Sequence, residues 1–286
     1  MITHIKNIVA KAKAGGYAIG AFNTANFETT EAILSAAQNL NKPLIIQVSE
    51  KTIKYCGLAT ITSIIHSVDK ERKIKVPIAI HLDHGHTLEV VKQCIAAGFS
   101  SVQIDGSELK YEKNIVLTRA AVSLAKKRGV WVQGELGSIL GKEGLVKLAH
   151  GLKPESYMTD PGQVKGFIRR TGVNTLAISV GTMHGAFRGR EKIRLDRLKK
   201  IAKQAKIPLV LHGASGNKDS EVSQAIRLGI RIINIDTELR QAFIETLRKN
   251  LKGKIVKYDP RELLQPSIEA VRAKVEEKVK VFSLRN

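Results

Sequence analysis

Residues 78–86 read IAIHLDHGH. The stretch opens as an apolar, partly β-branched run and closes on His81, Asp83, His84 and His86. Burying a carboxylate and imidazoles costs free energy unless they find partners. A strand that stops on such groups therefore reads as one that carries chemistry to its C-terminal end. Two later runs have the same form. LAISVGTMHG, residues 176–185, places His184 just past a strand, and PLVLHGASG, residues 208–216, places His212 there. Three strands that each deliver a histidine suggest one metal.

Outward from this stretch, short β-rich runs alternate with amphipathic helical patterns. The strand candidates are 17–23, 43–49, 77–83, 101–106, 130–136, 175–181, 208–215 and 231–237. Helical patterns cover 27–40, 59–69, 87–97, 111–127, 160–170, 194–205, 219–228 and 238–251. Several strands are almost continuously apolar, as expected when helices cover one face and a core fills the other. Eight βα units with no linker-like break predict an α/β fold with one domain over residues 1–286, a single (β/α)8 TIM barrel. A doubly wound open sheet is the alternative, but no GxGxxG follows the first strand. Residues 137–159 break the rhythm. They are glycine-dotted and weakly periodic, and a loop of this length inside a compact domain is usually functional. Beyond the eighth unit, 259–280 is a charged amphipathic helix that packs on the barrel or on a partner subunit. Residues 1–14 read as a short first helix with Thr3 as its cap rather than as a transit peptide.

The chain has 286 residues, a usual size for one α/β barrel. Its 43% hydrophobic content and mean hydropathy of -0.09 are those of an ordinary globular protein. No apolar run approaches the roughly 20 residues that span a bilayer, so no membrane association is expected. Cys56 and Cys94 form no CxxC pair, which fits a reducing, cytoplasmic setting, and Cys94 reads as a small buried hydrophobe. The 47 basic against 26 acidic residues give +21, an excess that raises nucleic-acid binding as a function. The basic residues are spread over most helices, however, and rarely alternate with aromatics. A solvated basic surface that attracts anionic substrates is the better reading.

In a barrel, the C-terminal strand ends form the catalytic face. Asp83 and His84 end the third strand, Asp105 the fourth and Glu135 the fifth. His184 follows the sixth, His212 ends the seventh, and Asn234, Asp236 and Thr237 end the eighth. Acidic and imidazole groups thus collect on one rim. Three histidines with an open fourth position suit catalytic zinc, with neutral imidazole as ligand. His81 shares strand parity with Asp83 and reads as a supporting residue; His4, His66, His86 and His150 read as structural or surface residues. The turns HGASG (212–216) and NIDTE (234–238) occupy the usual phosphate position of such barrels. The amides of Gly213, Ala214 and Ser215 can converge on an anion, and 234–237 lead into a helix N-terminus. Together they favour a phosphorylated substrate.

HLDHG, IDGS, ELG, VGTMHG, LHGASG and NIDTEL, in this order, resemble the class II, metal-dependent ketose-bisphosphate aldolases. The resemblance runs from GAFN at 20–23 to YDPRELLQPS at 258–267. It implies zinc held by His84, His184 and His212, and reversible cleavage of fructose 1,6-bisphosphate to dihydroxyacetone phosphate and glyceraldehyde 3-phosphate, a step of glycolysis and gluconeogenesis. Tagatose 1,6-bisphosphate, the C4 epimer, is the alternative substrate. By the same resemblance, Asp83 carries the proton of the C4 hydroxyl, and Glu143 in the loop after the fifth strand takes the proton from dihydroxyacetone phosphate. Asp105 and Glu135 match carboxylates at an alternate, inward metal position. Gly185, Gly213, Ala214, Ser215, Asn234, Ile235, Asp236 and Thr237 match the dihydroxyacetone phosphate site and a monovalent-cation (Na+ or K+) site. Asn23 and Ser49 match substrate-contacting residues, and the family's assembly implies a homodimer or homotetramer. Lys51 and Thr52 depart from the family's small residues, Glu108 replaces a histidine, and Arg188 stands where a phosphate-binding lysine is usual. Arginine still binds phosphate, and in a bidentate manner.

Overall fold

A computed structural model describes residues 1–139, 157–183, 185, 192–252 and 258–284. Eight parallel strands close into a barrel in sequence order: β1 (Ile19–Asn23), β2 (Leu44–Ser49), β3 (Ile78–Gly85), β4 (Ser101–Ile104), β5 (Trp131–Leu136), β6 (Thr175–Ile178), β7 (Leu209–Leu211) and β8 (Ile230–Ile235). β8 pairs back onto β1, which excludes the open sheet. Eleven helices are described: α1 (Ile5–Gly15), α2 (Phe27–Leu40), α3 (Glu50–Cys56), α4 (Leu58–Glu71), α5 (Leu88–Ala96), α6 (Tyr111–Lys126), α7 (Pro161–Thr171), α8 (Leu195–Gln204), α9 (Asp219–Arg227), α10 (Thr237–Leu251) and α11 (Pro260–Phe282).

The apolar strands are buried on both faces, and the pleat sorts their residues into two layers. Ile78, Ile80 and Leu82 of β3, like Leu44, Ile46 and Val48 of β2, pack outward under the helices. Ala79, Ile45, Ala21, Ala177, Val210 and Ile232 point into the barrel, where they meet Ile5, Ile8, Val9 and Ala12 of α1. α1 thus plugs the N-terminal mouth with apolar side chains. Along the same inward rows the residues turn polar towards the other mouth: Ala79 gives way to His81 and Asp83, and Ile45 to Gln47 and Ser49. The barrel is therefore apolar at its base and polar at its C-terminal rim.

Several expectations are corrected. His4, not Thr3, caps α1, its ring nitrogen accepting from the Lys6 amide. α3 fills residues 50–56, where no helix is expected. Ser49 caps it, and its seven residues are too few for a periodic signal. Thr237 opens α10 instead of ending a strand. β3 runs two residues further than expected, through His84 and Gly85. Cys94 is buried as expected, and burial together with the nearby Glu50 carboxylate pushes its thiol up to about 12.

α11 lies against α2, α9, α10 and β1 and so covers the sector where the ring of helices would otherwise gap. Asp259 caps it and Pro260 stands in its first turn, the position where a missing N–H is harmless. Val271, Val275 and Phe282 bury its apolar face. Its Lys278 is also buried, paired with Glu238 at 2.8 Å. No described helix is long and apolar enough to cross a membrane.

Candidate metal centre and active site

The site begins with an irregularity in β3. Leu82 pairs with Val102 and Gly85 with Ile104, so Asp83 and His84 together face the single residue Gln103. This is a β-bulge, which lets two consecutive side chains reach the same region. His84 has φ 47°, a left-handed conformation of order 1–3 kcal/mol above the ordinary regions for a non-glycine residue. Gly85 follows by necessity: a Cβ there would lie 2.8 Å from the Gln103 carbonyl oxygen. The HLDHG sequence is thus the sequence of a bulge.

The bulge sends Asp83 into the barrel. Its carboxylate accepts from Asn23 Nδ2 at 2.7 Å, from Asn234 Nδ2 at 3.2 Å and from Gln47 Nε2 at 3.4 Å. Three amides from β1, β2 and β8 fix its orientation. His84 turns towards β7, where its Nε2 faces His212 Nδ1 at 3.2 Å, with the two rings edge to face. On its other side His84 Nδ1 meets Asp105 Oδ2 at 2.7 Å. Glu135 Oε2 lies 3.9 Å from both rings. Two groups of donors each converge within 4.8 Å: Asp83, His84 and His212; and His84, Asp105 and Glu135.

The electrostatics ask for a cation here. Burial works against a charged His84, but Asp83, Asp105 and Glu135 outweigh it and hold the imidazole well above its usual value. Burial also opposes the charge on Asp105, yet the His84 hydrogen bond keeps that carboxyl well below its normal range. Glu135 is pushed well above it by burial and by the nearby Asp105 and Asp83, against the pull of His84 and Gln103. Three carboxylates around two imidazoles form a negative well that a divalent ion would fill. The residues fit such an ion. Two nitrogens sharing a tetrahedral zinc at its usual bond length stand roughly 3.3 Å apart, close to the 3.2 Å between His84 Nε2 and His212 Nδ1. A carboxylate on the far nitrogen of a ligating histidine, as Asp105 is on His84, is the usual outer partner.

Around this centre, Asn23, Asp83, His84, Gly185, Gly213, Ser215, Asn234, Asp236 and Thr237 line one cleft with Met183. Gly213 has φ 63°, and a Cβ there would lie 2.6 Å from the Met183 carbonyl oxygen, so the turns after β6 and β7 touch only because it is glycine. Ala214 is buried beside it, and Ile235 faces the outer core, which leaves only its backbone towards the cleft. The Ser49 hydroxyl is engaged with Thr52, accepting from its amide at 3.2 Å, and the buried Thr52 hydroxyl donates to the Thr24 carbonyl. Lys51 and Glu108 are exposed. Glu143, His184 and Arg188 lie outside the described residues, as does His150.

His81 is buried, its Nδ1 2.8 Å from Ser101 Oγ. Four further residues escape the sequence reading. Gln47, Gln103 and Gln133 form a layer one step below the rim: Gln47 reaches Asp83, Gln103 reaches Glu135 at 2.6 Å, and Gln133 Nε2 lies 3.1 Å from His212 Nε2. Thr182 Oγ1 donates to the His212 carbonyl at 2.6 Å. The glutamines share strand parity with Ser49, Asp105 and Glu135, and that parity is the signal that could have found them.

A closed barrel whose rim gathers imidazoles and carboxylates beside a glycine turn has the layout of an enzyme site with side chains that could hold a metal. Residues 3–286 match the family model described as fructose-bisphosphate aldolase class-II. The fructose-bisphosphate aldolase of Staphylococcus aureus (strain Mu50) is 36% identical over 286 residues, covering 100% of this chain and 98% of that protein. The probable fructose-bisphosphate aldolase of Bacillus subtilis (strain 168) is 38% identical over 276 residues, covering 96% and 95%. Among solved structures, the YdjI aldolase of Escherichia coli K12 superposes with a TM-score of 0.85 at 30% identity, covering 99% of this chain and 97% of that one. The chain belongs to the class II fructose-bisphosphate aldolase family. It is an aldolase, a lyase acting on a carbon–carbon bond of a phosphorylated sugar. The family is metal-dependent, in keeping with the two donor groups of the rim.

Proposed function

We propose that this aldolase cleaves fructose 1,6-bisphosphate reversibly to dihydroxyacetone phosphate and glyceraldehyde 3-phosphate, using zinc. The observation that carries the reading is the convergence of Asp83, His84 and His212 within 4.8 Å at a cleft that also contains Gly213, Ser215 and Thr237. His84 and His212, with His184, would hold the ion. Asp105 and Glu135 would supply an alternate, inward position. Bound there, zinc would polarise the ketone carbonyl and neutralise the negative charge that develops on its oxygen during cleavage.

The chain's own residues do the rest. Asp83, held by Asn23, Gln47 and Asn234, takes the proton of the C4 hydroxyl as the C3–C4 bond breaks, and the C4 oxygen becomes the aldehyde. Glu143 delivers the proton that C3 of the other fragment then needs, and removes it in the condensation direction. The backbone amides of Gly213, Ala214 and Ser215, the turn 234–237 at the start of α10, and Arg188 bind the phosphate of the dihydroxyacetone half. Gly185 lies on that side, where a monovalent cation would also sit, and Asn23 and Ser49 contact the sugar. We read residues 1–286 as one domain of a cytoplasmic homodimer or homotetramer. Side-by-side kinetics on fructose and tagatose 1,6-bisphosphate test the substrate assignment. A higher kcat/KM for the fructose compound supports it, and a higher value for tagatose overturns it.

A further inference from the structure

Gln103 is fully buried in the middle of β4, with no contact to solvent. It is the single residue that faces both Asp83 and His84 across the bulge. A bulge removes the extra residue's N–H from the ladder, and a buried N–H needs another acceptor. Gln103 supplies it: the His84 amide donates to Gln103 Oε1 at 3.0 Å. Regular pairing resumes two residues later, where the Asp105 amide donates to the Gly85 carbonyl at 2.8 Å. The other end of the same carboxamide donates to Glu135 Oε2 at 2.6 Å. One side chain thus holds both the backbone of the left-handed His84 and a carboxylate on the next strand.

We propose that Gln103 is a positioning residue for the metal centre, fixing the direction of the His84 imidazole and the place of Glu135. A carboxamide can do both tasks, because one end accepts from an amide and the other donates to a carboxylate. Without it, His84 loses the acceptor that stabilises its unusual backbone conformation, and its ring loses its aim at His212. Gln103 acts through His84 and Glu135. The proposal rests on the reading of His84 and His212 as metal ligands.

The test is a titration of the metal-stripped full chain with zinc alone against a chromophoric chelator, together with the visible absorption spectrum of the cobalt-loaded protein. Four proteins are compared: wild type, Gln103→Met, Gln103→Glu and His84→Ala. Gln103→Met is expected to bind zinc roughly 10–100-fold more weakly, the usual cost of losing an outer partner, and to alter the cobalt bands. Gln103→Glu has the size of glutamine, leaves Glu135 in place, keeps an acceptor opposite the His84 amide and, with one proton shared between the two buried carboxyls, keeps a hydrogen bond to position 135. It is expected to restore the wild-type spectrum and an affinity within a few-fold of wild type. Folded Gln103→Met protein with wild-type affinity and spectrum overturns the proposal, as does folded Gln103→Glu protein no better than Gln103→Met. Unchanged zinc affinity in His84→Ala would instead remove the metal-centre reading itself.

Discussion

His84 Nε2 and His212 Nδ1 face each other at 3.2 Å, although 128 residues separate them in the chain. Strands β3 and β7 make the meeting possible: the bulge turns His84 across the rim, and the short β7 stops at Leu211, so that His212 stands at its exit. If this pair holds the ion, losing either ring should weaken zinc binding by more than the roughly 10–100-fold that loss of an outer partner costs. Chelator competition on His84→Ala and His212→Ala checks this. Wild-type affinity in either variant would break the assignment.

Asp105 should behave as an outer partner. It bonds to His84 Nδ1 at 2.7 Å and so leaves Nε2 free to face the ion. Asp105→Asn is expected to lower zinc affinity by about 10–100-fold. Affinity as low as that of His84→Ala would mean that the carboxylate is itself a principal ligand.

Asp83 should separate chemistry from metal binding. Its carboxylate is held by three amides and is proposed to move the C4 hydroxyl proton. Asp83→Ala should lose about 10²–10⁴-fold in kcat, the usual worth of a positioned acid or base, while still taking up zinc. Turnover close to wild type would exclude the proton-carrying role.

His81 should leave a mark on stability. Burial and the charge on His84 lower its value from 6.5 to about 3, against the Ser101 hydrogen bond. The folded chain therefore keeps this ring neutral where the unfolded chain protonates it. The neutral ring's contribution is fully present above pH 6.5 and is lost as pH falls towards 3, with a slope of up to about 1.4 kcal/mol per pH unit. In metal-stripped protein, denaturant unfolding at pH 6.5 and pH 5 should show a loss roughly 1.6 kcal/mol smaller in His81→Asn than in wild type. Equal losses would rule this out.

Much of this was legible in the sequence because barrels turn pattern into position. The period-2 alternation in IAIHLDHGH already separates Ile78, Ile80 and Leu82 from His81 and Asp83, and the structure puts the first set under the helices and the second inside the barrel. The eight βα units and the rim cluster follow from the same logic. The bulge at Asp83–His84 was not legible, because register belongs to a pair of strands and not to one. Nor was the role of Gln103, Gln133 and Gln47, which read as ordinary polar residues until the strands on either side are in place. α3 escaped because seven residues hold too little periodicity, and His4 because histidine is an unusual N-cap.

We propose that a metal held at the rim by His84 and His212 makes this aldolase work. The most direct measurement is cleavage of fructose 1,6-bisphosphate by the protein as purified, after exhaustive treatment with chelator, and after return of zinc. Turnover should vanish on stripping and return with zinc. Undiminished turnover by protein shown to be free of metal would contradict the account.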